Sequence, residues 1–236
     1  MTHPFHLGIV IVNYRTAGLV IDCLKSLSQP SVMPRGTQVV VVEGGSGDNS
    51  AQLIGDAILA NGWLHQVELL SLESNGGFAF ANNRGLDRLR ALHGEPEYVL
   101  FLNPDTVVRP GAVNELLAYV ERMPEVGIAG SRLEDMDGTP QACAFRFPSV
   151  AAELEGEARI GAISRLLHDW QVVPEVGDEP LQVDWVSGAS MMVRSRVLQE
   201  IGSFDEGYFL YYEEVDLCRR AAMAGWSCHH VPASRV

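Results

Sequence analysis

Four short apolar runs, at 7–12, 39–42, 67–72 and 98–102, alternate with segments of helical periodicity over the first 130 or so of 236 residues. This alternation constrains the fold more than any other feature. The run at 7–12 is β-branched throughout its centre and reads as a buried strand. Val20, Cys23, Leu24 and Leu27 then recur at helical spacing until Gln29 and Pro30 stop the helix. Leu53, Ile54, Ala57 and Ile58 mark a second helix, and 78–92 a third. Parallel strands need crossover connections, so strands alternating with helices predict an α/β domain, Rossmann-like, with a mostly parallel central sheet and helices on both faces. Ligands of such sheets bind beyond the carboxyl ends of the strands.

The later part is less regular. Residues 138–180 carry Pro148, Pro174 and Pro180 among acidic patches, and read equally as a helical insertion or a lid. A strand interrupted at Gly188 is expected over 183–193, and a short helix over 214–224, ended by Gly225. No internal repeat is present.

Composition narrows the partners. A net charge of −13 excludes nucleic acid, whose phosphates are held by clustered Lys and Arg, and equally a polybasic membrane anchor. An acidic protein that binds an anionic nucleotide sugar needs a local device, a metal ion or backbone N–H groups, to offset repulsion. Cys23, Cys143, Cys218 and Cys228 lack Cys-x-x-Cys spacing and are expected to be buried free thiols. No apolar run approaches the ~20 residues that span a bilayer, and 1–6 lack the features of a signal peptide, so a cytoplasmic location is expected.

Polar clusters follow three of the strands: Asn13, Tyr14, Arg15 and Thr16 after the first, 43–48 after the second, and Asn103, Pro104 and Asp105 after the fourth. Each alone reads as an ordinary turn, but three at one edge of a sheet outline a nucleotide site. Glu43 is suited to accept the imino N–H of a pyrimidine base, or is a solvated loop residue; Tyr14 is suited to stack on the base, or simply packs. Asp105 can hold a hard divalent cation, Mg or Mn, together with diphosphate oxygens, or can cap the helix that begins near Pro110. The segment 75–85, with Asn75, Gly76, Gly77, Phe78 and Asn82, lets backbone approach a ligand closely. Glu213, Glu214 and Asp216 crowd three carboxylates into four positions, which either raises a pKa into the range of a general base or favours the positive end of the following helix.

These blocks together resemble family 2 glycosyltransferases, in particular the bacterial rhamnosyltransferase-like branch, from about residue 7 to the end. The matching blocks are Ile-Val-Asn-Tyr-Arg at 11–15, the loop at 43–48, Asn-Gly-Gly-Phe at 75–78, Asn-Pro-Asp at 103–105, Trp-Val-Ser-Gly-Ala at 185–189 and Tyr-Glu-Glu-Val-Asp-Leu-Cys at 212–218. The resemblance implies a GT-A fold in one domain, with a nucleotide-binding half at about 1–130 and an acceptor and catalytic half at about 131–236. It implies that Asn13, Tyr14, Arg15, Glu43, Ser46, Asp48, Asn75, Gly77, Phe78, Asn82, Asn103 and Asp105 hold the nucleotide sugar, with Asp105 the metal ligand. Trp185, Gly188 and Ala189 then lie on the acceptor and sugar side. Glu214 becomes the base of an inverting transfer, with Glu213 and Asp216 beside it.

The implied donor is a dTDP- or UDP-sugar, with rhamnose favoured, and the implied acceptor is a glycan or lipid-linked glycan reached by peripheral contact at the inner membrane face. Three positions depart from the family pattern: Glu43 for Asp, Gly44 for Asn and Ala81 for Gly. Family members often carry a metal-binding His after the Pro-Ala-x-x-Val stretch, here at 232–236, whereas His229 and His230 precede it. A carboxy-terminal truncation with impaired metal binding is therefore expected. The rival reading is a binding module of the same fold that holds nucleotide or glycan without turnover. A nicotinamide-dependent dehydrogenase is excluded by the absence of a glycine-rich fingerprint after the first strand, and a nucleotidyltransferase by the absence of a basic glycine-rich loop.

Overall fold

The computed structural model describes residues 6–147, 174 and 177–236. The four expected strands form β1 (Leu7–Asn13), β2 (Gln38–Glu43), β3 (Val67–Ser71) and β4 (Tyr98–Leu102), joined by α1 (Ala17–Leu27), α2 (Ser50–Ala60) and α3 (Phe78–His93). They pair in parallel, in the order β3-β2-β1-β4. Beyond them lie α4 (Ala112–Arg122), β5 (Val126–Arg132), β6 (Ala144–Phe145), β7 (Leu181–Val183), β8 (Trp185–Val186), β9 (Ser190–Arg194), α5 (Ser195–Ile201), α6 (Glu213–Met223) and β10 (Ser227–Arg235).

One sheet of eight strands, ordered β3-β2-β1-β4-β9-β5-β10-β7, runs through both halves of the chain. β9 lies antiparallel between β4 and β5, and β7 antiparallel at the edge, while β10 runs parallel to β5. The sheet is thus mostly parallel with two reversed strands. The single interrupted strand expected at 183–193 is instead three: β7 and β9 join the large sheet, whereas β8 pairs with β6 in a separate ribbon. Gly188 marks the gap because the chain changes sheets there.

Strand periodicity explains why helices cover both faces. Ile9, Ile11, Val39, Val41, Leu100 and Leu102 enter one core with α1, α2 and α4, while the intervening Val10, Val40, Val42, Val99 and Phe101 enter a second core with α3, α5 and α6. A strand buried on both sides must be apolar at every position, which is why these runs show no alternation. All four cysteines are buried and free, as the sequence predicts, and burial pushes the Cys23 thiol up to about 12. The stretch 148–173 of the irregular region expected at 138–180 lies outside the described residues. No helix among the described residues is long and apolar enough to cross a membrane.

His229 and His230 sit in β10, inside the fold rather than at a strand end. His229 Nδ1 meets the Tyr119 hydroxyl at 2.8 Å. His230 is buried with both ring nitrogens unpartnered among the described residues, and burial, aided by the Arg132 charge, holds its pKa down to about 4. The unfolded chain therefore takes up a proton near pH 6.5 that the folded chain refuses until about pH 4. Stability conferred by the neutral ring is complete above the unfolded value and is lost as pH falls through that window, by about 2 kcal/mol at pH 5. Urea unfolding of the wild type and His230→Leu at pH 7 and pH 5 measures this part, which the variant should lack; an equal pH dependence in both would contradict it.

Candidate active site

The carboxyl ends of β1, β2 and β4 and the start of the antiparallel β9 meet at one rim, because a reversed strand begins where its neighbours end. A cleft of about 550 Å³ opens there. Tyr14, Gly44, Asn75, Gly77, Phe78, Asn103 and Asp105 line it, together with Phe209, Leu210 and Tyr211. A second cleft, of about 250 Å³, lies on the other side of Asp105 and shares Asn103 and Asp105 with the first. Asp105 is thus an exposed carboxylate at the junction of two cavities.

The remaining expected donor residues build the walls instead of lining the cleft. Asn13 is fully buried: its Oδ1 accepts from the Thr16 N–H at 3.1 Å and hydroxyl at 3.2 Å, and its Nδ2 donates to Ser46 Oγ. Ser46 Oγ also accepts the Arg15 N–H at 2.9 Å, and Arg15 Nε donates to the Ser46 carbonyl at 3.1 Å. Glu43 is turned back on its own loop, its two carboxylate oxygens accepting the N–H groups of Ser46 at 2.9 Å and Gly45 at 3.2 Å. That carboxylate folds the loop that presents Gly44 to the cleft. Asp48 accepts the Ser50 N–H at 2.9 Å at the start of α2, and the Ser50 side chain, followed by this backbone bond, holds its carboxyl below the usual range. Asn82 is buried, and its amide donates to the Phe78 carbonyl one turn back. Asn82 and Asp48 therefore take the local roles open to such residues in any helix or turn.

The Asn75 to Phe78 turn is held by the chain segment that precedes α6. Asn75 Oδ1 accepts the Gly77 N–H at 2.9 Å, and the Phe78 N–H donates to the Phe209 carbonyl at 2.9 Å. Gly77 has φ of 93°, and a Cβ there would run into the Phe209 backbone, 2.9 Å from its Cα. Gly77→Ala is expected to cost roughly 2 kcal/mol and to lower the thermal midpoint by about 4–8 °C, because it adds a left-handed side chain and a backbone clash. Calorimetry that finds an unchanged midpoint would show the turn to be more adaptable than this contact allows.

Glu213 and Glu214 open α6. Both carboxyls are held above the usual range, Glu213 by burial and then by the charge of Glu214, Glu214 by burial offset in part by the backbone amides of Glu214, Gly188 and Val215. Among the described residues Oε2 of each has no hydrogen-bond partner. A Cβ on Gly188 would lie 3.6 Å from Glu214 Cβ, so the β8–β9 turn rests on this side chain. The next residue, Ala189, accepts the Asn103 N–H at 2.9 Å and lines the smaller cleft. Asp105 and Glu214 are thereby connected through one turn at one rim.

Asp216, expected beside the base, is committed elsewhere. Its Oδ2 receives Arg220 Nε at 2.7 Å, and Arg220 donates further to the carbonyls of Ile201 and Ser203. The pair braces the loop before α6. Trp185 stacks on Phe145, ring centroids 4.1 Å apart and 17° from parallel, on the β6–β8 ribbon.

Among the described residues no three His, Cys, Asp or Glu side chains converge as a metal centre. A cation at the junction of the two clefts would have Asp105, the carboxylate they share, as its charged ligand. Asn103 also lines both clefts, and its Oδ1, buried and unpartnered among the described residues, is a second hard oxygen donor there. Such a donor set suits Mg or Mn completed by diphosphate and water oxygens, not zinc.

The loop residues Phe209, Leu210 and Tyr211 escaped the sequence reading as cleft residues. The signal was present: five consecutive apolar or aromatic residues, 208–212, directly before an acidic pair.

Comparison with known proteins bears on the family and the fold. Residues 3–236 match the model of a family described as glycosyltransferase like family 2. An N-acetylglucosaminyl-diphospho-decaprenol L-rhamnosyltransferase of Mycobacterium tuberculosis is 31% identical over 98% of this chain and 75% of its own length. Among solved structures, GalNAc-T7 with UDP, GalNAc and Mn2+ superposes with a TM-score of 0.70 at 15% identity over 100% of this chain and 44% of its own. A mannosyltransferase from Pyrobaculum calidifontis in complex with GDP-Man and Mn2+ gives 0.62 at 17% identity, over 99% and 56%. The chain thus spans about half the length of these two structures, with which it shares the GT-A fold.

Proposed function

Because the chain belongs to the glycosyltransferase like family 2, we propose that it transfers a hexosyl group, rhamnose first among candidates, from a nucleoside-diphosphate sugar to a hydroxyl of a glycan or lipid-linked glycan. The observation that carries this reading is the meeting of Asp105, at the mouth of the larger cleft, with the turn that rests on Glu214. The half at about 1–130 is assigned to the donor and that at about 131–236 to the acceptor. The reaction is placed at the cytoplasmic side of the membrane that carries such acceptors.

Tyr14 and the 43–48 loop hold the nucleoside, and the Asn75 to Phe78 turn closes its far side. Asp105 and Asn103 would hold Mg or Mn, which offsets the charge of the leaving diphosphate. Glu214 accepts the proton of the acceptor hydroxyl while that oxygen bonds to the anomeric carbon. The bond from that carbon to the diphosphate oxygen breaks on the opposite face, its electron pair leaves with the nucleoside diphosphate, and the configuration inverts. A carboxyl raised by burial is a stronger base than one in water, which favours this step at neutral pH.

A panel of UDP- and dTDP-sugars with Mg or Mn, assayed for transfer and for the anomeric configuration of the product, tests this. Inverted product from at least one donor is expected. Asn103 at the position before Pro104, in place of a second acidic ligand, favours the rival binding module, and metal-dependent nucleotide binding without transfer from any donor would establish it.

A further inference from the structure

We propose that Tyr212, with Tyr211 beside it, is the acceptor subsite, an aromatic surface on which a pyranose ring stacks so that its hydroxyl faces Glu214. The inference rests on the transferase reading above and names the acceptor's chemical class, a pyranoside. Tyr211 and Tyr212 are 69% and 70% exposed, and Tyr208, Phe209 and Leu210 before them are also exposed. Five successive apolar or aromatic residues left in water are unusual in a folded chain.

The loop that carries them is firmly built. Asn83 donates to the Phe204 carbonyl and accepts the Phe204 N–H, Arg84 reaches Glu206 at 2.7 Å, and Phe78 binds the Phe209 carbonyl. Its exposure is therefore a fixed presentation. Tyr211 and Tyr212 have φ of 69° and 71°, a left-handed conformation that is costly for residues with a bulky side chain and persists where the surroundings impose it. Its result is positional: Tyr211 edges the cleft that holds Asp105, and Glu214 follows Tyr212 by two residues.

A pyranose has an apolar face of C–H groups and a polar rim of hydroxyls, which matches a flat aromatic face open to solvent beside a base. A bilayer surface is the less favoured occupant. The net charge of −13 gives no attraction to anionic lipid, and Phe209, Leu210 and Tyr211 of the tract line the cleft, directly before Tyr212.

Steady-state transfer from dTDP-rhamnose to a water-soluble N-acetylglucosaminyl diphosphate bearing a short alkyl group tests this in wild type, Tyr212→Gly and Tyr212→Phe. Glycine suits the left-handed backbone, so the ring is removed without loss of loop geometry. Tyr212→Gly should raise the acceptor KM about tenfold, with donor KM kept within about twofold, and Tyr212→Phe should behave as wild type in both. An unchanged acceptor KM in Tyr212→Gly would overturn the subsite. Weaker sedimentation with phosphatidylglycerol vesicles at unchanged acceptor KM would overturn it in favour of bilayer contact. A wild type that transfers no sugar from any donor of the panel sinks the transferase reading itself, before any variant is compared.

Discussion

Glu214→Gln is expected to lower kcat by about 10²- to 10⁴-fold while nucleotide affinity stays that of the wild type. Glutamine keeps the shape against Gly188 and removes only the ability to accept a proton. Because the Glu214 carboxyl is held above the usual range by burial, the wild-type rate should also fall on the acid side as that group protonates, at a pH higher than for a carboxylate in water. The variant should lose this acid limb. Pre-steady-state transfer and nucleotide titration, each across pH, check both parts, and a variant with near-normal rate would remove Glu214 from the reaction.

Asp105→Ala has the second largest expected effect, on binding instead of turnover. Asp105 is the carboxylate common to both clefts, so a cation held at their junction takes its charge from this residue. Its loss should abolish the gain in UDP or dTDP affinity that Mn confers, a drop of about 10²-fold or more at saturating metal, and leave metal-free affinity little changed. Calorimetry with and without Mn reads this directly. An Mn-dependent gain that survives in the variant would place the cation elsewhere.

The first four strands were largely legible in the sequence because buried parallel strands must be apolar at each position and their ends must be polar. β1, β2, β3 and β4 accordingly fall within a residue or so of the runs that announced them. The meeting of Asp105 with Glu214 was legible only as a requirement, since nothing in the spacing shows β9 entering antiparallel beside β4. β5 and β10 gave weaker signals: Gly127 and Gly130 dilute one, and His229, His230 and Pro232 interrupt the other. These strands are held by pairing and by cores on both faces more than by their own residues.

Individual side chains were least legible. Asn13, Glu43 and Ser46 stand at the right strand ends, yet their bonds run within and between loops. A short polar side chain next to backbone N–H groups satisfies those groups first. Asp216 shows the same competition at a carboxylate, where the arginine one turn onward takes the charge that proximity to Glu214 had suggested for chemistry.

A crystal structure of the protein with dTDP or UDP and Mn examines the shared rim most directly. The account predicts the base against Tyr14, the cation on Asp105, and the terminal phosphate directed toward the Gly188 turn and Glu214. A nucleotide seated away from the 550 Å³ cleft, or a diphosphate that points away from Glu214, would contradict it.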